Sequence, residues 1–396
     1  MKLADKQFCT GCSACYSICP VHCISMKEDT EGFLYPLIDE EKCTQCKQCE
    51  KSCPVITQQS ERKPLHVYAV KNPNEEIRRQ SSSGGMFTLL AEHIIHEGGV
   101  VFGARFNDNW EVIHDYTETI GILSVFRGSK YVQSKVNDTY KKVEDFLVTG
   151  RRVLFSGTPC QVSGLKAFLK KDYDNLLTVD LICEGVPSPL VWRKYLAEIL
   201  NNIPLNNPSL IKEISFRDKK YGWKTFSFTI NCIAQNNIEY SSYSELWNKN
   251  SYIRGFYEGL FIRPSCHNCP VRFFKSGSDI TIGDYWRIQN IKPEFDDDKG
   301  ISCVIINTQK GNNYYTVLER DEKETSYKDA LSKNIVLEQS LKLSSKRDHF
   351  FKEMNNGNII SLIEKLITPP LYRRIIVFVL KKLGLYTLMK RIKNKV

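Results

Sequence analysis

The sequence has no hydrophobic run long enough to cross a bilayer. The apolar stretch Ile375–Leu380 has six residues, whereas a transmembrane helix needs about 20. Residues 1–6 also lack the apolar centre of a secretory signal. We therefore expect a cytoplasmic protein whose cysteines are kept reduced.

Several nucleotide and metal motifs are absent as well. No Gly-x-Gly-x-x-Gly pattern follows a predicted strand, and the chain has no Walker A, His-Glu-x-x-His or Cys-x-x-Cys-His motif. A standard dinucleotide-binding Rossmann unit is therefore not indicated.

Acidic residues are missing from one segment, Leu371–Val396, which carries eight Lys or Arg residues. The net charge is +10 for the whole chain but only +2 without this segment, so no nucleic-acid partner is expected. Alternating apolar and basic clusters predict a basic amphipathic helix on an anionic membrane or an acidic partner. The alternative is a helix that packs on the core with a solvated basic face.

Cysteine is abundant, with 15 residues, and eight of them form a repeated pattern. Cys9-x2-Cys12-x2-Cys15-x3-Cys19-Pro20 returns 34 residues later as Cys43-x2-Cys46-x2-Cys49-x3-Cys53-Pro54. This is the spacing of bacterial ferredoxins, in which the fourth Cys of each run binds the other cluster. We assign one [4Fe-4S] cluster to Cys9, Cys12, Cys15 and Cys53, and a second to Cys43, Cys46, Cys49 and Cys19.

Zinc and disulfides are the alternatives for these cysteines. Zinc sites usually show ligand pairs rather than a three-plus-one run, and disulfides are disfavoured in a reducing compartment. Cys23 completes no spacing and is expected to be a small buried apolar residue.

The rest of the chain predicts an α/β fold, from strands that alternate with helices. The polar stretch 58–64 marks a boundary after a ferredoxin-type domain at residues 1–60. We expect a mixed α/β domain in two halves, 65–150 and 151–345, followed by a basic tail at 346–396. Ser82, Ser83, Gly84 and Gly85 precede a predicted helix, a start that suits a phosphate or is simply a capped helix.

Two further predicted strands each end at a cysteine, Cys160 and Cys183, in turns of the kind that form sites in α/β sheets. Cys266 and Cys269 form a Cys-x2-Cys turn further on. We interpret these four residues as ligands of a third [4Fe-4S] cluster; zinc and ordinary buried cysteines are the alternatives. Cys232 and Cys303 lie in apolar strand-like runs and are expected in the core.

Together these motifs resemble the coenzyme F420 hydrogenase/dehydrogenase beta-subunit family over about residues 1–290. The motifs that carry the resemblance are the double cysteine pattern, Ser82–Gly85, Gly128–Ser134, Gly157–Gln161, Cys183–Ser188 and Cys266–Trp286. The resemblance implies a non-Rossmann flavoprotein that binds FAD and holds a core cluster through the four cysteines above. It also implies that FAD contacts come from Ser82, Ser83, Gly84, Gly85, Lys130, Tyr131, Val132, Gln133, Ser134, Thr158, Pro159 and Gln161.

We interpret Lys130 as the catalytic residue, placing positive charge beside the N1/O2 edge of the flavin. The alternatives are a phosphate contact and a surface salt bridge. The resemblance implies an oxidoreductase that exchanges electrons between clusters and FAD, with a deazaflavin such as coenzyme F420 or a surface-polysaccharide precursor as substrate. The second hypothesis is an electron-transfer subunit that serves a ferredoxin or another redox enzyme as partner.

Overall fold

The structure is a computed structural model that describes residues 3–202, 210–233 and 240–369. The basic segment Leu371–Val396, predicted to contact a membrane or an acidic partner, lies outside these residues. Within them, no helix is both long and apolar enough to span a bilayer.

Helices and strands alternate along most of the chain. The helices are α1 Ala14–Ile18, α2 Gln48–Lys51, α3 Glu75–Gln80, α4 Met86–His96, α5 Thr139–Val148, α6 Pro159–Leu169, α7 Pro189–Asn202, α8 Ser251–Tyr257, α9 Gln309–Thr316, α10 Tyr327–Leu331, α11 Arg347–Glu353 and α12 Ile359–Ile367. The strands are β1 Ile24–Glu28, β2 Leu34–Ile38, β3 His66–Lys71, β4 Val100–Phe106, β5 Val112–Thr117, β6 Val153–Gly157, β7 Leu176–Leu181, β8 Leu210–Asp218, β9 Ser227–Ile233, β10 Tyr240–Leu246, β11 Ile280–Asp284, β12 Ser302–Ile306 and β13 Asp321–Thr325.

The N-terminal unit shows the cysteine repeat as a structural repeat. Gly11 and Ser13 adopt left-handed backbone conformations, and so do Gln45 and Lys47, which lie 34 residues further along. These turns curl each Cys-x2-Cys-x2-Cys run into a tight loop before a short helix, α1 or α2. β1 and β2 form an antiparallel hairpin between the two runs.

The large domain is built on an eight-stranded mixed sheet in the order β13-β3-β12-β11-β7-β6-β4-β5. β4, β6, β7 and β11 run parallel, while the other neighbours pair antiparallel. β6 and β12 are buried along their whole length, because helices and loops cover both faces of the sheet. The carboxyl ends of β6, β7 and β11 therefore meet at one edge, which is where sites form in such sheets.

A second sheet, β10-β9-β8, is antiparallel and packs an aromatic core. Trp192 of α7, Phe216 of β8, Phe228 of β9 and Tyr252 of α8 are buried together in this core. Of its strands, the sequence indicated only the strand-like run around Cys232, which lies in β9, whereas the elements of the large sheet between residues 66 and 181 were predicted.

The predicted mixed α/β class is confirmed, and Cys232 and Cys303 are buried core residues as expected. The C-terminal segment differs from the prediction. The sequence assigned residues 346–396 to a separate tail, but α11 and α12 place Phe350, Ile359 and Ile363 in the core beside β8 and β9. The apolar side chains of α12 recur with helical spacing, which buries one face of the helix.

Candidate functional site

The eight cysteines of the N-terminal unit surround two small cavities. Cys9, Cys12, Cys15 and Cys53 line one cavity. Cys19, Cys43, Cys46 and Cys49 line the other, together with Cys23. Each cavity thus takes three cysteines from one run and the fourth from the other run, which is the arrangement that the spacing predicts for two clusters. We call these sets the inner and the outer cysteines, respectively.

One outer cysteine reaches the surface, whereas one inner cysteine packs on the large domain. Cys46 is exposed, and the buried Cys23 lies with its Sγ 3.4 Å from the Sγ of Cys19. Cys12 packs into the hydrophobic core shared by α5 and α6. An ideal Cβ on Gly164 of α6 would lie 3.1 Å from the Sγ of Cys12, so only glycine allows this close approach.

Burial and mutual repulsion disfavour free thiolates in the inner set. Burial raises the pKa of Cys12 to about 12, and the charges of Cys53 and Cys9 add to the effect. Thiolates in such a place need positive iron to stabilise them. The donor set therefore fits an iron–sulfur cluster.

A third set, which we call the core cysteines, comprises Cys160, Cys183, Cys266 and Cys269. Cys160 lies in the first turn of α6, and Cys183 follows β7. Burial raises the pKa of Cys160 and of Cys183 to about 12 and raises that of Cys266. Negative charges on neighbouring core cysteines raise all three values further, so the four half-buried side chains lie within electrostatic range of one another.

In space, the three sets follow one another in the order outer, inner and core. The inner set neighbours the core set, because Cys12 packs against Gly164, one helical turn after Cys160 on α6, and the charge of Cys12 also raises the pKa of Cys160. Cys183 belongs to the core set and lines the large cavity described below. In the described residues, no group of three or more His, Cys, Asp or Glu side chains is placed to hold a metal ion. The ligands of a single metal ion converge on one point, whereas each cysteine of a [4Fe-4S] cluster binds a different iron atom.

The large cavity lies at the carboxyl ends of β6, β7 and β11 and has a volume of about 280 Å³. This is close to the lower end of the range for small-molecule pockets, roughly 300–1,000 Å³. Most of the residues implied by the resemblance line it: Ser82, Ser83, Gly85, Lys130, Tyr131, Val132, Ser134, Thr158 and Gln161.

Gly84, Gln133 and Pro159 were implied too, but they do not line the cavity. A Cβ on Gly84 would lie 2.2 Å from the carbonyl oxygen of Val70, so this glycine allows the loop to pack on β3. Gln133 turns toward the N-terminal unit and donates from Nε2 to the carbonyl oxygen of Thr10 at 3.0 Å. Pro159 is the first residue of α6.

Hydrogen bonds hold the cavity loops together. The backbone N–H of Ser129 donates to Ser82 Oγ at 2.6 Å. Lys219 donates to the carbonyl oxygens of Arg78 at 2.8 Å and Ser83 at 2.6 Å, and burial lowers the pKa of Lys219 to about 7. These contacts fix the Ser82–Gly85 loop before α4, whose first residues line the cavity.

Lys130 lies on the cavity wall, but its ammonium group is already engaged. Nζ donates to the carbonyl oxygens of Val125 at 3.0 Å and Arg127 at 2.8 Å. Burial lowers the pKa of Lys130 to about 7, so the group loses its charge more readily than an exposed lysine. Its role beside a flavin stays a prediction.

Two cavity residues were missed by sequence reasoning, Arg217 and His114. Arg217 is 5% exposed and pairs with Asp284 at 2.8 Å, yet its Nε and Nη2 have no hydrogen-bond partner among the described residues. His114 donates from Nε2 to the carbonyl oxygen of Ser156 at 3.0 Å and accepts at Nδ1 from the Ser134 hydroxyl at 2.9 Å. Nothing in the local sequence distinguishes either residue.

The cavity fits a group with anionic oxygens. α4 begins at Gly85, where no side chain caps the first N–H groups, and a helix start of this kind attracts phosphate. The two unpaired donors of Arg217 lie on another wall. A cofactor with phosphates and a polar ring, such as FAD, matches these donors.

Comparison with known proteins matches the large domain and the N-terminal unit to different families. Residues 150–329 match the profile described as the C terminus of the coenzyme F420 hydrogenase/dehydrogenase beta subunit. Residues 8–56 and 35–85 match two profiles described as 4Fe-4S dicluster domains. No protein of curated function matches the sequence.

Among solved structures, a chain of the F420-reducing [NiFe] hydrogenase complex from Methanosarcina barkeri is similar, with 17% identity and a TM-score of 0.45. The match covers 77% of this chain and 92% of that chain. On these profiles, residues 150–329 are similar to the C-terminal domain of the coenzyme F420 hydrogenase/dehydrogenase beta subunit, and the N-terminal residues are similar to 4Fe-4S dicluster domains.

Proposed function

We propose that the protein is an FAD- and [4Fe-4S]-dependent oxidoreductase with three clusters, which exchanges electrons with an organic substrate in the large cavity. The observation that carries the proposal is the continuity of the three cysteine sets. Cys12 packs against Gly164 of α6, the helix whose first turn carries Cys160, and Cys183 lines the cavity. When bound, the clusters supply one-electron transfer and the flavin links it to two-electron chemistry.

The chain's own residues prepare the cavity for a charged ligand. The start of α4 and the unpaired donors of Arg217 offer positive potential at two points of the wall. His114 remains neutral at physiological pH, because burial lowers its pKa to about 4, and it holds Ser134 in place.

The substrate class that we propose is a deazaflavin such as coenzyme F420 or an anionic precursor of a surface polysaccharide. The deazaflavin is proposed because the matching family profile is that of a coenzyme F420 hydrogenase/dehydrogenase subunit. Peripheral attachment of residues 371–396 to an anionic membrane is a separate proposal, which binding to vesicles with and without anionic lipid would test.

A second candidate function is an electron-transfer subunit that passes electrons to a partner enzyme. The exposed position of Cys46 favours it, because a surface cluster can exchange electrons with another protein. The matching family profile also describes beta subunits. The two functions differ in whether the isolated chain reduces a small acceptor on its own.

The decisive experiment is the content of iron, acid-labile sulfide and flavin in anaerobically purified protein. Three clusters require about 12 iron atoms per chain, with one FAD. The variant Cys266→Ala should lose about four of these, whereas Cys303→Ala, a buried cysteine outside all three sets, should lose none. About eight iron atoms and no flavin in the wild type would refute a core cluster and an FAD site.

Reduced protein, free of partners, then separates the two functions. Turnover of coenzyme F420 or another small acceptor supports the enzyme. Failure of every small acceptor, with rapid oxidation by a partner protein, supports the electron-transfer subunit.

A further inference from the structure

Five arginines are buried in the described residues, and two of them differ from the rest. Arg78 pairs with Asp297, Arg217 with Asp284, and Arg347 with Glu31. The other two, Arg263 and Arg272, form no ion pair with a carboxylate among the described residues; they donate to neutral oxygens, and Arg263 also contacts the Sγ of Cys9. An unpaired buried charge costs several kcal/mol unless something of opposite charge offsets it.

Both of these arginines lie against cysteine sets. Arg263 is 0% exposed and donates from Nε to the carbonyl oxygen of Cys9 at 2.8 Å. Its Nη2 lies 3.9 Å from the Sγ of Cys9. Arg272 donates from Nη1 to the carbonyl oxygen of Cys183 at 2.9 Å. One arginine thus contacts the inner set, and the other contacts the core set.

Arg263 also has its position fixed from every side. Nη1 donates to Gln133 Oε1 at 2.9 Å and Nη2 to the carbonyl oxygen of Leu34 at 2.9 Å. The guanidinium lies over the Tyr35 ring at 4.3 Å. A Cβ on Gly11 would lie 2.7 Å from Nη1, so the cysteine loop closes tightly over the cation. Such a network holds a charge where it cannot move toward solvent.

We infer that Arg263 and Arg272 are the counter-charges of two iron–sulfur clusters, Arg263 of the cluster on the inner cysteines and Arg272 of the cluster on the core cysteines. A cluster bound by four thiolates is anionic, and reduction adds one more negative charge. A fixed positive charge nearby stabilises the reduced form and raises the reduction potential. Both residues are positioning residues that tune potentials, and the inference rests on the proposed cluster sites.

The test compares Arg263→Gln, Arg272→Gln and Arg347→Gln in anaerobically reconstituted full-length protein. Iron is counted first, and each cluster is then titrated by EPR spectroscopy. Arg263→Gln should lower the potential of the inner cluster, so that the ratio of oxidised to reduced cluster at a fixed potential rises about tenfold, or 59 mV for one electron. Arg272→Gln should do the same at the core cluster.

Arg347→Gln is the matched control, because Arg347 is buried and joins the N-terminal unit to the core, but Glu31 already balances its charge. Since Arg347 contacts no cluster cysteine, this variant should shift each potential less than the variant whose arginine contacts the cysteines of that cluster. Arg263→Lys should keep a potential near that of the wild type, because it keeps the charge.

Unchanged potentials in Arg263→Gln and Arg272→Gln with full iron would overturn the inference, as would equal shifts in Arg347→Gln. If Arg263→Gln loses iron, the reduction potential of the core cluster in Arg272→Gln tests the inference by the same criterion. A wild type without clusters would instead refute the proposed function.

Discussion

At the residue scale, the burial of His114 predicts the direction in which folding stability changes with pH. Burial lowers its pKa from 6.5 to about 4, so the unfolded chain binds a proton at a higher pH than the folded chain does. Folding stability is therefore lost as pH falls below 6.5. Between pH 7 and pH 5, the wild type should lose roughly 2 kcal/mol more than His114→Gln.

The measurement is chemical denaturation of both proteins at several pH values between 5 and 7.5. His96→Gln provides the control, since His96 is exposed on α4 and should follow the wild type. Identical pH profiles for His114→Gln and the wild type would contradict a buried neutral histidine at the cavity.

At the element scale, α12 tests whether residues after 346 belong to the core. Ile363 is 0% exposed, and a Cβ on Gly255 of α8 would lie 3.1 Å from its Cγ2. Ile363→Ala should lower the free energy of unfolding by about 2–5 kcal/mol, because it leaves a cavity between two packed helices. Leu343→Ala, at a position 63% exposed, should cost little. Equal and small losses would place α12 outside the cooperative core.

Elements with local signals could be predicted from the sequence. The cysteine spacing within Cys9–Cys53 is enough to predict which cysteines share a cavity. The strands that end at Cys160 and Cys183 were predicted because each is an apolar run followed by a turn. The helix at residues 359–367 was missed for a different reason. The basic, acid-free segment Leu371–Val396 dominated the composition of residues 346–396. The apolar residues at 359–367 nevertheless recur with the spacing of a packed helix.

Long-range partners could not be predicted. Arg263 and Cys9 are separated by 254 residues, and only the folded chain shows that this arginine pairs with no carboxylate in the part of the chain that the structure describes. Arg217 looks like any strand residue until Asp284 and Tyr131 are placed beside it. Burial and charge balance belong to the tertiary structure, so the sequence supports ligand predictions better than predictions of cavity electrostatics.

At the scale of the whole molecule, the proposed function makes the core cysteines the connection between the N-terminal unit and the cavity. Cys266→Ala should therefore leave the two N-terminal clusters reducible by dithionite but slow the reduction of bound flavin by a protein donor at least tenfold. Stopped-flow spectroscopy would follow the two cofactors at different wavelengths. Cys303→Ala should behave as the wild type, and unchanged flavin reduction in Cys266→Ala would remove the core cluster from the path.

The exchange of one cysteine between the two N-terminal cavities has a consequence during synthesis on the ribosome. Cys49 completes the outer set, Cys53 completes the inner set, and Cys269 completes the core set. No site can close before its last ligand leaves the exit tunnel, so the sites become available from the surface inward. Because both N-terminal sites close within four residues of each other, nascent chains should present two empty sites to the iron–sulfur assembly machinery almost together. The core site should follow more than 200 residues later.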